Sequence, residues 1–142
     1  MKTYSIKAKD INSSWFLIDA TNHTLGRLSS KVAHILRGKN KVDYTPHMNM
    51  SDYVVIINSD KIKVSGNKED KKEYWSHSRY PGSGKKTLYK AIMKNNSDLI
   101  LYNAIKGMLP SNKLSNQLIK HLKVYKDNKH PHSSQKPEIL EI

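Results

Sequence analysis

The segment from Trp15 to Lys41 constrains the fold most, because it joins a short apolar run directly to a helical pattern. The run at 15–18, Trp-Phe-Leu-Ile, predicts a buried strand. Polar turn residues follow at 19–22, and Thr24 is placed to cap a helix. That helix should end at Gly38, since glycine is preferred just past a helix end. One strand and one helix therefore supply part of a core.

The helix predicted over 24–37 has an apolar side and a basic side. Helical spacing forms the apolar side from Leu25, Leu28, Val32, Ile35 and Leu36. The basic side carries Arg27, Lys31 and His34, and Arg37, Lys39 and Lys41 follow at its exit. The pattern predicts a helix that covers the core and presents positive charge outward. An ordinary solvated face is the alternative, and this segment alone favours it.

Composition indicates the partner of such a surface. The formal net charge is +13, from 25 basic and 12 acidic residues, which indicates a polyanionic partner. Nucleic acid is the leading candidate and an anionic membrane surface the second. All but three of the basic residues are lysines, which bind phosphates as point charges. Recognition of a nucleic-acid backbone is therefore favoured over the reading of base edges.

Several function classes are disfavoured by what the sequence lacks. There is no cysteine, which excludes disulfides, thiolate catalysis and cysteine-based zinc sites. No apolar run approaches membrane-spanning length, and the first residues lack the apolar centre of a signal peptide. The 142 residues suffice for one domain with a real core. We expect a single domain over 1–142, with an extended basic lead-in at 1–14 and a loop or tail at 126–142.

Three further stretches have strand character. The run at 52–59 is continuously apolar at its centre, as expected for a central strand covered on both faces. The stretch 61–65 alternates with period two, so Ile62 and Val64 should face inward along a second strand. A charged turn is expected at 68–72, and 72–78 is a weaker strand prediction.

The glycine-rich segment at 79–86, Arg-Tyr-Pro-Gly-Ser-Gly-Lys-Lys, resembles a phosphate loop only superficially. The nucleotide-binding pattern would need glycine where Arg79 stands and serine or threonine where Lys86 stands, and no apolar strand precedes it. A loop whose lysines and amides meet a phosphate backbone is favoured instead. An α/β enzyme that uses nucleotides is therefore a weak rival.

Helical patterns fill most of the second half. They predict a short helix at 87–94, a second one capped by Asp98, and a third at 112–123. The second helix should bury Leu101, Ile105 and Met108. Residues 124–125 could close a strand or a tight turn, and the basic, then acidic, end should lie on another part of the chain.

Rings interleaved with lysines have two interpretations. Tyr44 and His47, in the loop predicted at 39–51, suit stacking on unpaired RNA bases, or else pack on the core and bond to backbone. His130 and His132 could suggest a metal, but no third ligand is evident, so a structural or RNA-contact role is favoured. No hydrolase elbow and no paired carboxylates are seen. Nothing demands an enzyme.

Collinear motifs cover nearly the whole chain. They are DAT at 19–21, TLGRL at 24–28, LRGK at 36–39, YTPH at 44–47, DYVV at 52–55, VSGNK at 64–68, HS at 77–78, YPG at 80–82, KGMLP at 106–110, LKVY at 122–125 and HPH at 130–132. In these motifs the chain resembles the family of large-ribosomal-subunit protein thirteen, in its bacterial or organellar form.

The resemblance implies a three-layer α/β fold with a small, largely parallel sheet flanked by helices. It also implies a structural role in the large ribosomal subunit, binding large-subunit rRNA beside neighbouring ribosomal proteins and joining early in assembly. No catalysis, cofactor, metal, membrane or small-molecule substrate is implied. The chain would act in the bacterial cytoplasm or in an organelle. An RNA-binding regulator acting on mRNA off the ribosome remains the alternative.

Candidate rRNA-binding residues come from two sources. Carried over from the resemblance are Arg27, Arg37, Lys39, Tyr44, His47, His77, Tyr80, Lys106, Lys123, Tyr125, His130 and His132. Charge alone adds Lys31, Lys41, Arg79, Lys85, Lys86, Lys113, Lys120 and Lys129.

Overall fold

The computed structural model describes residues 6–142, which form an α/β arrangement. The strands are β1 (Trp15–Asp19), β2 (Tyr53–Ile57), β3 (Glu73–Ser76), β4 (Lys85–Leu88), β5 (Leu122–Val124) and β6 (Glu138–Ile139). The helices are α1 (Leu25–Leu36), α2 (Lys68–Lys71), α3 (Tyr89–Asn95), α4 (Ser97–Met108) and α5 (Ser115–Leu118). The predicted α/β class, with a largely parallel sheet flanked by helices, is confirmed.

The main sheet has the strand order β5-β2-β1-β6, and every neighbouring pair is parallel. Because side chains alternate along a strand, Ile18, Val54 and Ile56 share one face. That face packs in the main hydrophobic cluster with buried residues of α1 and α4. Val55, on the opposite face, is buried as well. The prediction that β2 is a central strand covered on both faces is therefore confirmed.

Helix α1 follows its predicted pattern. All five predicted apolar residues are buried, and the chain leaves the helix through Gly38 at φ +76°. Thr24 occupies the cap position, but its side chain makes no cap hydrogen bond. The first helical amide, that of Leu25, instead donates to the carbonyl of Lys63 at 2.9 Å.

The strand predicted at 61–65 is wrong. A 3-10 turn occupies Ser59–Lys61, and beyond it only a single bridge joins Lys63 to Thr24. The segment crosses the N-terminal end of α1, where the carbonyl of Lys63 accepts a hydrogen bond from the Leu25 amide. The prediction that Ile62 and Val64 face inward is nevertheless confirmed, because Ile62 is buried and Val64 packs against the core. The charged turn predicted at 68–72 is instead the short helix α2.

Local helical patterns were overridden in two places by strand pairing. Lys85 and Lys86, predicted in a loop, belong to β4, which pairs antiparallel with β3, and the following helix therefore begins only at Tyr89. The helix predicted at 112–123 shrinks to α5 and a 3-10 turn, because Leu122 and Lys123 join β5 beside β2. Helix α4 begins at Ser97, so Asp98 lies in its first turn rather than at its cap, and Met108 is half-exposed rather than buried.

Both ends of the described chain are tied to the sheet or the core. Residues 1–5 of the predicted lead-in lie outside the described residues. Ile6 is buried and a 3-10 turn spans Ala8–Asp10, so 6–14 is not simply extended. At the other end β6 pairs with β1, and Leu140 packs against the core, as expected for a tail that lies on another part of the chain. No helix in 6–142 is long and apolar enough to cross a membrane.

Candidate nucleic-acid interface

Most of the positive charge is left without a carboxylate partner. Within residues 6–142, ion pairs involve three lysines: Lys41 with Asp52, Lys86 with Glu73, and Lys90 with Asp70. The last two pairs are exposed to solvent, where such pairs contribute under about 1 kcal/mol. Nearly the whole cationic excess is therefore available to a polyanion.

The outward side of α1 is cationic, as its pattern predicted. Arg27, Lys31 and His34 are all exposed, and Lys39 is exposed just past the helix end. His34 and Lys31 lie beside the C-terminal residues, which form the other wall of a shallow hollow. The positive groups of this helix thus lie on the surface, with the apolar side of the same helix in the core.

The loop after α1 uses its cations differently. The Arg37 guanidinium lies 5.9 Å from the centre of the Tyr44 ring, within cation–π range, and both residues are half-buried. The Lys41 ammonium lies 2.7 Å from the carboxylate of Asp52, a side chain only 2% exposed, and donates to the carbonyl of Asn12 at 2.6 Å. Lys41 stays a predicted rRNA contact, but that contact would need this pair to open. His47, in the same loop, is exposed.

A cationic groove runs between the start of α1 and α2. It encloses about 900 Å³, and its walls include Arg27 together with Lys68, Lys71 and Lys72. The three lysines were missing from the predicted site, because their stretch was interpreted as a solvated charged turn. They meet Arg27 because α2 lies across the groove from the start of α1. The short spacing of these lysines was the only signal in the sequence.

A second basic hollow lies where α4 ends. Lys106 and Lys113 both line it, on either side of Pro110, and it encloses about 420 Å³. Lys120 and Lys129 are exposed elsewhere, whereas Lys123, within β5, is half-buried. The structure therefore brings together two of the predicted lysines here and leaves the others apart.

The β3–β4 hairpin forms a separate projection. Register pairs Glu73 with Leu88 and Trp75 with Lys86, which places these four residues on one face. The opposite face carries Tyr74, which packs against the core, where burial raises its pKa. The outer face is correspondingly exposed, and Trp75 retains 63% of its accessible surface.

The hairpin tip, residues 77–84, gathers three predicted contacts. His77, Arg79 and Tyr80 line an open hollow of about 480 Å³ together with Trp75, which was not predicted as a site residue. Tyr80 is 78% exposed. Lys85 is exposed just beyond, and the Lys86 ammonium lies 3.0 Å from the Glu73 carboxylate.

A second group of rings is half-buried and forms what we call the ring stack. It comprises Trp15, Tyr53, His121, Tyr125 and His132. The Tyr53 ring lies between the indole of Trp15 at 4.4 Å and the imidazole of His121 at 4.2 Å. His132 approaches Trp15 at 5.2 Å, and its Nε2 lies 2.8 Å from the Tyr125 hydroxyl.

The ring stack partly shields its histidines from solvent. Burial lowers the pKa of His121, and nearby Lys123 lowers it further, against opposing contributions from Ser51 and Asp52. Burial also lowers the pKa of His132, as do the charges of Lys123 and His130. Both imidazoles therefore favour the neutral form. His130 is half-buried, with its ring 6.4 Å from that of His132.

Metal binding finds no support in the geometry of the described residues. Across 6–142 no group of three or more histidine, aspartate or glutamate side chains is arranged to hold a metal ion. His130 and His132 are joined by a hydrogen bond, in which the His132 backbone amide donates to Nδ1 of His130 at 3.2 Å.

Comparison with known proteins agrees with the motifs. A family model described as ribosomal protein L13 matches residues 13–131. The chain is 48% identical over 142 residues to the large ribosomal subunit protein uL13 of Maridesulfovibrio salexigens, with all of both chains covered. It is 47% identical to the protein of the same name from Herpetosiphon aurantiacus and 46% identical to that of Aquifex aeolicus, each covering all of this chain and 99% of the relative.

Proposed function

This chain belongs to the ribosomal protein L13 family, and from that premise we propose that it is a structural constituent of the large ribosomal subunit, whose unpaired cations bind rRNA. The observation that carries the proposal is similarity along the whole chain to proteins named for the large subunit. The geometry is consistent with it, since the cations of α1, Lys68 and Lys71 in the groove, and Arg79 at the hairpin tip are all exposed.

The mechanism is counterion replacement. Lysine and arginine side chains displace the cations condensed around folded rRNA, and the release of those ions drives binding. The groove of Arg27, Lys68, Lys71 and Lys72 brings four such charges to one surface. Lysines lack the planar pair of donors with which arginine recognises a base edge. Phosphate contacts therefore hold and orient the protein.

The finer parts of the proposal concern context. We expect one domain over 1–142 that binds rRNA beside other large-subunit proteins, joins early in assembly and catalyses nothing itself. The named relatives are bacterial, which favours the bacterial cytoplasm over an organelle. No observation favours the alternative of an mRNA regulator acting off the ribosome.

The salt dependence of rRNA binding tests the mechanism. If about eight phosphates are neutralised, log affinity for large-subunit rRNA should fall with log salt at a slope of roughly −6 to −7. Replacing Lys68, Lys71 and Lys72 together by alanine should make the slope shallower by about 2 to 3. Lys90→Ala is the matched control, since its ammonium already faces Asp70 at 3.5 Å. A nearly flat salt response in the wild type would contradict the proposal.

Sedimentation in a sucrose gradient separates the two contexts. Co-migration of the protein with large subunits in a cell extract is expected for a ribosomal constituent. Recovery of the protein only at the top of the gradient, with rRNA binding intact in vitro, would favour the off-ribosome regulator.

A further inference from the structure

The hairpin tip carries rings whose exposure the core does not explain. Alternation along β3 turns Tyr74 inward and Trp75 outward, and the Trp75 and Tyr80 rings both remain largely exposed. Burying one such ring is worth about 1.5–3 kcal/mol, so a fold that leaves several together in water forgoes that stabilisation. A cluster of this kind marks an interaction site.

The tip is also held in one shape. The Ser83 hydroxyl donates to the Tyr80 carbonyl at 2.7 Å and accepts from the Ser78 amide at 3.1 Å, which closes the loop on itself. Arg79 adopts φ +72°, a conformation that non-glycine residues rarely adopt, and its amide donates to His77 Nδ1 at 3.2 Å. A surface ordered before binding loses less entropy when a ligand arrives.

Close backbone packing supports the Trp75 indole. A Cβ added to Gly84 would lie 3.1 Å from Nε1 of the indole, so glycine lets the chain pass directly beside the ring. The His77 imidazole lies 4.7 Å from the Trp75 ring, tilted by 38°. The indole is thus flanked by chain and imidazole, and the rest of it faces solvent.

The chemistry of the tip selects its occupant. Residues 77–86 contain no aspartate or glutamate, and they carry Arg79 beside the rings. The one carboxylate on the face of Trp75 within β3 and β4, that of Glu73, is already paired with the Lys86 ammonium at 3.0 Å. An apolar protein segment would leave that guanidinium without a partner. An unstacked nucleotide supplies both a flat face for the indole and a phosphate for the guanidinium.

We propose that Trp75 and the hairpin tip bind an unpaired nucleobase of rRNA, with the base stacked on the Trp75 indole and Arg79 placed against the adjoining phosphate. The inference rests on the proposed function and goes beyond it, because it assigns a base-stacking role to a residue that neither the motifs nor the comparisons single out. It also distinguishes this site from the groove, where only phosphate contacts are invoked.

Tryptophan fluorescence tests the proposal on the full chain. The chain has two tryptophans, so the emission lost in a Trp75→Phe variant isolates that of Trp75. A single-stranded oligoadenylate should quench this emission, and a fully paired RNA duplex of the same length should quench it far less. Trp75→Ala should bind the oligoadenylate about 5- to 150-fold more weakly, the range for loss of one base–ring stack.

Conservative and neighbouring variants keep the test specific. Trp75→Phe retains a flat ring and should bind within about threefold of the wild type, since stacking tolerates any aromatic face. Leu88→Ala removes an apolar neighbour on the same face and should leave oligoadenylate affinity unchanged. Circular dichroism of each variant checks that the fold is intact.

The outcomes separate this inference from the proposed function. Binding to large-subunit rRNA with no change in Trp75 emission, or equal quenching by duplex, would overturn base stacking and leave rRNA binding standing. A Trp75→Ala variant that binds RNA normally yet fails to enter large subunits would overturn it in favour of a protein contact. Absence of any rRNA binding by the wild type would remove the proposed function as well.

Discussion

The ring stack and the hairpin tip contain the same kinds of side chain and use them in opposite ways. In the stack, the Tyr53 ring lies between the rings of Trp15 and His121, so the three rings cover one another's faces. At the tip, Trp75 and Tyr80 present most of their surface to solvent. Residue type alone therefore does not separate a structural ring from a ligand-binding ring, and the side chain's place in the sheet does.

The difference follows from where each strand lies. Trp15 and Tyr53 are paired at the start of two neighbouring parallel strands, and the loop that carries His132 packs over them. Trp75 lies on the outer face of a two-stranded hairpin, where 63% of its surface remains exposed. We expect damage in the stack to reduce stability, and damage at the tip to reduce binding instead.

The largest expected effect is on stability, from truncation of the stack. Tyr53→Ala should lower the free energy of unfolding by about 3–4 kcal/mol, because it removes a half-buried ring that is stacked on both faces. Trp75→Ala should change it by no more than about 0.5 kcal/mol. Urea unfolding followed by circular dichroism measures both. Equal losses in the two variants would contradict the division between stack and tip.

Glycine substitutions sharpen the comparison at the backbone. Gly38→Ala should cost about 2–4 kcal/mol, since Gly38 has φ +76° and a Cβ there would lie 2.7 Å from the Met50 carbonyl oxygen. Gly82→Ala, at φ +77° with nothing within 4 Å, should cost only about 1 kcal/mol. Thermal unfolding of both variants gives the comparison.

Gly84→Ala completes the set of glycine variants. Its clash is with the exposed Trp75 side chain rather than with backbone, so the indole can move, and the loss should stay below about 1 kcal/mol. A cost as large as that of Gly38→Ala would show that the tip is as rigidly packed as the end of α1.

The parts of the fold that the sequence predicted are those with strong local patterns. β1, α1 and β2 each carry their own apolar spacing, and Gly38 ends α1 where expected. β5 and β6 are three and two residues long and depend on pairing with strands distant in the sequence. No local pattern can reveal such pairing, so a helix was predicted through Leu122.

The candidate site divides in the same way. Net charge predicted a cationic surface, because charge survives any rearrangement of the fold. The environments of individual rings did not follow, since Tyr125 and His132 have the same chemistry as Tyr80 and His77, yet the first two are half-buried and the last two exposed. All four stay predicted rRNA contacts. Trp75 was missed because its strand was weakly patterned. Only the register with β4 shows which way it faces.

The smallest expected effect is the pH dependence of stability, and it arises in the stack. The pKa values of His121 and His132 are lowered in the folded chain, chiefly by burial. Below the ordinary histidine pKa of about 6.5, the unfolded chain therefore takes up protons before the folded chain does. Stability should be fully present above that pH and should fall as the pH drops through the lowered values.

Substitution isolates the histidines responsible for that fall. Thermal unfolding between about pH 7.5 and about pH 5, which brackets the ordinary histidine pKa, should show a flatter profile in a His121→Gln, His132→Gln double variant than in the wild type. His47→Gln, at an exposed position in the loop after α1, is the matched control and should leave the profile unchanged. A double variant as pH-sensitive as the wild type would place the titrating groups outside the ring stack. The stacked rings and the exposed rings would then show no electrostatic difference.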